Sequence, residues 1–101
     1  RASNGDCSPE VIDWAVSRTG SQAVAPLTEP VSLNRELDRI FRTYVICTGD
    51  RIVPPALQRR MASDGQITDV IELEAGHHPQ LSRIEELAGI LHERARDQVT
   101  A

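Results

Sequence analysis

The sequence predicts an α/β fold in which two parallel strands alternate with helices. From Phe41 onward the predicted elements follow the order strand, helix, strand, helix, which is typical of parallel strands joined by a right-handed crossover. Residues 44–47 form a continuously apolar run, as expected of a strand covered on both faces. Ionisable residues follow both strands, where open α/β sheets carry their functional groups.

The composition is that of a globular protein, with 40% hydrophobic and 26% charged residues among 101. A net charge of -4 argues against nucleic acid as a partner, because its binders carry clustered basic surface. No apolar run approaches the roughly 20 residues that span a bilayer, so we expect no membrane partner. Cys7 and Cys47 lie far apart, which favours free thiols in a reducing compartment and a cytoplasmic location.

The first helix has a strong start signal. Ser8 is a predicted N-cap, Pro9 occupies the first helical position and Glu10 places an acid in the first turn. Gly20 is the predicted stop. The chain begins without an initiator Met or a signal-peptide apolar segment, so we expect it to be an internal stretch of a longer polypeptide.

After this helix the sequence no longer has a helical pattern. Residues 21–34 are predicted to form an extended connector, in which Pro26 and Pro30 break any helix. A short helical turn is expected at residues 35–40. We therefore divide the chain into residues 1–34, the first helix and its connector, and residues 35–101.

The second region contains both strands. Residues 41–47 are rich in β-branched and aromatic side chains and predict the first strand, and residues 69–73 predict the second. Between them a helix opens at Pro54 and Pro55 and ends at residues 63–65. Two parallel strands do not form a stable sheet alone, so we expect further strands to come from elsewhere.

The last helix is predicted to start at Ser82. With Glu85 this residue makes the Ser-x-x-Glu pattern of a capping box. Helical spacing predicts one apolar face. That face consists of Ile84, Leu87, Ala88, Leu91 and Ala95.

Asp50 and the pair His77 and His78 follow the first and second strands. If the strands are parallel neighbours, both loops lie at the same edge, so an acid–histidine pair is geometrically reasonable. The alternative is that Asp50 is a turn-former or cap and that the histidines are simply solvated. Two cysteines and two histidines are also possible metal ligands, but nothing matches the Cys-x-x-Cys spacing of zinc sites. We expect no metal and no cofactor.

Several stretches together closely resemble the esterase and hydroxynitrile-lyase branch of the α/β-hydrolases. The acid strand of that branch is similar to residues 44–54, YVICTGDRIVP, and 58–61, QRRM. Its histidine loop and final helix are similar to residues 72–82, ELEAGHHPQLS, and 85–88, EELA. Residues 4–10, NGDCSPE, resemble the end of the helical cap.

The resemblance implies a fold and a site. The chain would supply the last two parallel strands and flanking helices of an α/β-hydrolase sheet, preceded by the end of a helical cap. Asp50 matches the triad acid and His77 the general base, whereas His78 falls on a variable position. The family's cap-end segment overhangs the pocket, so Trp14 and Leu27 are candidate substrate-binding residues.

No serine of the chain lies in the Gly-x-Ser-x-Gly pattern of the nucleophile. We therefore expect this polypeptide alone to be inactive, with its partner being the N-terminal part of the same hydrolase and its substrate a small ester. Cyanohydrin cleavage in the same fold is an alternative. A second alternative is a non-catalytic, hydrolase-like binding or scaffold module.

Overall fold

The computed structural model describes residues 4–100, with the side chains at positions 35, 99 and 100 outside the description. Strand β1 (Thr43–Cys47) and strand β2 (Asp69–Leu73) pair in parallel, which confirms the predicted α/β class. Positions 1–3 and 101, at the ends of the two predicted regions, lie outside the described residues, and the boundary between the regions stays a prediction. The helices are α1 (Pro9–Ser17), α2 (Ala25–Thr28), α3 (Pro55–Asp64), α4 (Pro79–Ser82) and α5 (Ile84–Thr100), with a 3-10 helix at Arg35–Arg39.

Helix α1 begins as the sequence predicts but ends early. The Ser8 hydroxyl oxygen accepts the Val11 N–H at 3.3 Å, the expected N-cap bond. The helix ends at Ser17, three residues before the predicted stop at Gly20. The hydroxyls of Ser17 and Thr19 donate to backbone carbonyls of the last turn at 2.7 and 3.1 Å. Such bonds compete with the helical ladder.

Two expectations about helix ends are wrong. Pro26 does not break a helix but lies in the first turn of α2, where the missing N–H costs nothing. Ser82 does not cap α5, which starts at Ile84, but ends α4. Pro79 initiates α4, and both the N–H and the hydroxyl of Ser82 donate to the His78 carbonyl, at 3.3 and 3.4 Å. The capping box is therefore not formed.

The buried core lies at the carboxyl end of the sheet. Ile46 is fully buried, and Cys47 packs with Leu73 and Ala75, against which Val45 is partly buried. The first strand was predicted to be buried on both faces, but only its last two residues, Ile46 and Cys47, are buried. Because this small core lies directly beneath the two loops that follow the strands, it sets the spacing of those loops.

An ion pair holds α5 against the other end of the sheet. Arg94 Nε donates to Asp69 Oδ2 at 2.6 Å, and the Thr43 hydroxyl donates to the same oxygen at 2.6 Å. Hydrogen bonds from Arg94 and Thr43 together outweigh burial and lower the pKa of the Asp69 carboxyl. The first residues of β1 and β2 are thereby fixed to the final helix.

Much apolar surface is left uncovered in this part of the chain. Ile84 and Leu91, both on the predicted apolar face of α5, are each 61% exposed. Phe41 and Val45 line an open groove of about 310 Å³ beside the same helix. The radius of gyration is 15.6 Å, against about 13 Å for a compact domain of this length. No helix within residues 4–100 has the length and apolar character needed to cross a membrane.

Candidate active site

The loops after β1 and β2 run side by side because the strand pairing continues beyond the strands. Thr48 N–H donates to the Leu73 carbonyl at 2.9 Å, and Gly49 N–H donates to the Ala75 carbonyl at 2.9 Å. A Cβ atom on Gly49 would lie 3.1 Å from the Ala75 carbonyl oxygen. The absence of a side chain at position 49 therefore allows the two loops to approach each other closely.

The Asp50 carboxylate is held by its own loop. Its Oδ1 accepts two backbone N–H groups, from Ile52 at 2.8 Å and from Val53 at 3.0 Å. Burial raises the pKa of this carboxyl, but the bonds from Val53, His77 and Ile52 outweigh burial and leave the pKa lowered. The acid is therefore ionised at neutral pH and has one fixed orientation.

The His77 ring contacts the second oxygen of the Asp50 carboxylate, Oδ2. Its Nδ1 lies 2.9 Å from Asp50 Oδ2, and the side chains are 32% and 6% exposed respectively. An ionised carboxylate only accepts hydrogen bonds, so Nδ1 carries the proton and Nε2 of the neutral ring is left as an acceptor. The predicted contact between Asp50 and His77 is thus present. The pair is able to take a proton from a third group at Nε2.

His78 has a different environment. Its Nδ1 lies 3.1 Å from the Gln80 amide nitrogen. Its ring stands edge-on to the His77 ring, with centroids 4.9 Å apart and an interplanar angle of 70°. A carboxylate is paired with His77 and an amide with His78, which is the arrangement expected if His77 is the base.

Sequence reasoning missed Gln58, a side chain that supports the acid loop from α3. Gln58 is only 3% exposed. Its Oε1 accepts the Cys47 N–H at 2.8 Å, and its Nε2 donates to the carbonyls of Cys47 and Val53 at 2.9 and 2.8 Å. One side chain therefore ties together the two ends of the loop that carries Asp50. The signal that could have identified Gln58 is a polar residue on the buried face of α3, the helix that follows β1.

Asp6 is a second residue that sequence reasoning missed. Its Oδ2 accepts the Gly76 N–H at 2.7 Å, directly before His77. The position lies within the stretch that resembles the cap end, but nothing in the local sequence connects it with a loop 70 residues away.

The structure does not bring Trp14 and Leu27 to the Asp50–His77 pair. Both are exposed, by 51% and 74%, and the Arg18 guanidinium lies 4.9 Å from the centroid of the Trp14 ring. A role for either in substrate binding stays a prediction. A small cavity of about 90 Å³ lies between the segment before α1 and the two loops, lined by Gly5, Asp6, Gly49, Arg51 and Gly76 and by neither Asp50 nor His77.

Both cysteines are free thiols, and Cys47 is buried in the core described above. Burial, followed by the negative charges of Asp50 and Asp6, raises the pKa of the Cys47 thiol, so it is not an activated nucleophile. Among residues 4–100 no three His, Cys, Asp or Glu side chains are grouped so that they could hold a metal ion.

Comparison with known proteins identifies the fold. The sequence model of the alpha/beta hydrolase family matches residues 3–90. The chain belongs to the α/β-hydrolase family. This α/β-hydrolase chain is also 40% identical over 77 residues to "Alpha/beta hydrolase nvfD" of Aspergillus novofumigatus (strain IBT 16806). The alignment covers 75% of this chain and 30% of that protein, so the chain spans less than a third of the length of the curated relative it matches.

Proposed function

We propose that this chain is the C-terminal portion of a serine esterase of the esterase and hydroxynitrile-lyase branch, in which Asp50 is the triad acid and His77 the general base. The observation that carries the proposal is the 2.9 Å contact between His77 Nδ1 and Asp50 Oδ2 on adjacent loops. Asp50 Oδ1 is at the same time fixed by two backbone N–H groups. A pre-oriented carboxylate behind an imidazole is what activation of a serine requires.

The proposed reaction depends on the His77 tautomer that carries its proton on Nδ1, because its Nε2 is then free to accept a proton. A serine hydroxyl attacks the ester carbonyl while His77 Nε2 takes the hydroxyl proton. The imidazolium, stabilised by Asp50, returns that proton to the leaving alkoxide as the C–O bond breaks and the acyl-enzyme forms. Water then attacks the acyl group, with the same imidazole as base, and the carboxylic acid and the free serine result.

The serine is proposed to lie on a separate, N-terminal part of the same hydrolase. The serines of this chain are at positions 3, 8, 17, 21, 32, 63 and 82. None has a glycine two residues before it, so none lies in a Gly-x-Ser-x-Gly pattern. The small cavity at these loops, about 90 Å³, is well below the roughly 300–1,000 Å³ of ligand pockets, and neither Asp50 nor His77 lines it. A complete pocket therefore needs further walls. The exposed face of α5 and the open edges of a two-stranded sheet are surfaces that such a part would cover.

The substrate class is proposed to be a small carboxylic ester. Trp14 and Leu27 lie in α1 and α2, after the stretch that resembles the end of the cap. Within this proposal they contact the substrate when the pocket is complete. Their exposure, 51% and 74%, leaves both side chains accessible to a ligand or to another part of the protein.

The two adjacent histidines provide the test. In the full-length protein, His77→Ala should abolish hydrolysis of a p-nitrophenyl ester, whereas His78→Ala should keep most of it, because only His77 contacts the carboxylate. The matched substitutions alter neighbouring residues of the same type on one loop. Loss of activity in His78→Ala with retention in His77→Ala would refute the assignment of the base, and full activity in both would refute the esterase mechanism.

A further inference from the structure

The peptide group between Ala75 and Gly76 is held at both ends. Its carbonyl oxygen accepts the Gly49 N–H at 2.9 Å. Its N–H donates to Asp6 Oδ2 at 2.7 Å. The next residue is His77, so fixing this peptide group anchors the backbone from which the loop reaches His77 and limits how far the imidazole can move. Asp50 fixes only the ring, through Nδ1.

Asp6 is itself well fixed. It lies in a turn closed by the Cys7 N–H, which donates to the Asn4 carbonyl at 3.0 Å, immediately before the N-cap of α1. Although the residue is exposed overall, partial desolvation opposes ionisation of its carboxyl. The Ser82 side chain, the Gly76 N–H and the positive charge of Arg83 nevertheless lower its pKa. The carboxylate is therefore charged at neutral pH and joins the segment before α1 to the loop that carries His77.

The sequence of the loop fits this contact. A Cβ atom on Gly76 would lie 2.5 Å from Asp6 Oδ1. The φ angle of Gly76 is not positive, so its backbone is open to any residue. A side chain at position 76 would have to displace the Asp6 carboxylate, whereas the backbone conformation there would accept one.

From this geometry we propose that Asp6 is a positioning residue for the catalytic base: it locks the peptide that precedes His77 and so holds the imidazole in line with both Asp50 and the nucleophile. The proposal rests on the proposed function. Asp6 does not touch the substrate or the reacting atoms. It acts through the backbone of the histidine loop.

The expected size of the effect follows from the cost of misplacing a catalytic group. A shift of about 1 Å in such a group lowers the rate on the order of 100-fold. Asp6→Ala in the full-length protein should therefore lower kcat for a p-nitrophenyl ester about 100-fold while KM stays within a few-fold. Asp6→Asn keeps an acceptor oxygen for the Gly76 N–H and should recover most of kcat. Asp64→Ala, at an exposed aspartate of α3, is the matched control and should keep full activity.

Two further measurements separate positioning from a general loss of structure. The low-field proton resonance of the His77–Asp50 hydrogen bond should broaden or vanish in folded Asp6→Ala and stay sharp in Asp64→Ala. Gly76→Ala, which pushes the carboxylate aside, should lower kcat in the wild type and cost little more in the Asp6→Ala background, because the two substitutions break one contact. Since Asp6 is exposed rather than part of the core, its replacement opens no core cavity. If Asp6→Ala nevertheless yields no folded protein, Gly76→Ala alone decides the matter.

Unchanged kcat and an unchanged low-field resonance in Asp6→Ala, or in Gly76→Ala, would overturn the inference. With His77→Ala inactive in the same assay, that result would leave the esterase mechanism standing. Activity in His77→Ala would instead show that the proposed function itself has failed.

Discussion

Asp50→Asn offers the sharpest test of the acid's role, because the structure predicts the orientation of the new amide. In the wild type, Oδ1 accepts the N–H groups of Ile52 and Val53 at 2.8 and 3.0 Å. Only an oxygen can keep those bonds. The asparagine oxygen must therefore stay on that side, and its NH₂ group must replace Oδ2, which lies 2.9 Å from His77 Nδ1.

The NH₂ group donates, so Nδ1 of His77 must become an acceptor and the ring proton must move to Nε2. In that tautomer Nε2 is unable to take the serine proton. In a serine protease triad the corresponding substitution lowers kcat about 10⁴-fold, and we expect a loss of about 10³–10⁴-fold here. This corresponds to roughly 4–5.5 kcal/mol of transition-state stabilisation. The fold should lose only the charge-assisted part of the two backbone bonds, roughly 1–2 kcal/mol.

The assay is kcat/KM for a p-nitrophenyl ester, measured on the full-length protein after its folding has been checked by circular dichroism. Asp64→Asn, on the exposed end of α3, is the control for the chemistry of the substitution. If Asp50→Asn is folded and keeps more than about a tenth of the activity, the tautomer mechanism is wrong, because a ring locked in the wrong form leaves far less.

Two further predictions concern stability. Gln58→Leu leaves the buried N–H of Cys47 without its partner, while the Cys47 carbonyl keeps the Asp50 N–H, so urea unfolding of the full-length protein should show a loss of about 2 kcal/mol. The exposed Gln22→Leu is the control, and equal midpoints for both variants would contradict this role. The folded-state pKa of Asp50 lies below the ordinary value of 3.8, so its stabilisation is complete above that value and is lost as pH falls through the lowered pKa. The stability advantage of the wild type over Asp50→Asn should therefore shrink between about pH 5 and pH 2, and an advantage that is constant over this range would speak against the ionised carboxylate as its source.

The elements that could be predicted from the sequence are those with local signals. The N-cap at Ser8 and the Pro54-Pro55 start of α3 each depend on neighbouring residues, and the structure confirms both. The β-branched run is confirmed as strand β1, which begins at Thr43 rather than at the predicted Phe41. Topology made a contact between Asp50 and a histidine of the second loop reasonable, because parallel strands end at the same edge. The choice of His77 over His78 came from the family resemblance.

The misses have two physical causes. Pro26 and Pro79 both open short helices, because a proline that breaks a helix in one context initiates one in another. The second of these helices displaced the predicted cap at Ser82. The bonds of Gln58 and Asp6 depend on side chains that face distant backbone groups, and no periodicity in the sequence encodes such a contact.

The loops that carry Asp50 and His77 differ in how far along the sequence their stabilising hydrogen bonds reach. The bonds of Asp50 to its own loop reach two and three residues along the sequence, and those of Gln58 reach five and eleven. The histidine loop instead depends on a partner 70 residues upstream. Low contact order favours early formation of the loop that carries Asp50, whereas the loop that carries His77 completes its bonds only when the segment before α1 docks. Under the proposed function, insertions or substitutions in that upstream segment would disturb the base and leave the triad acid in place.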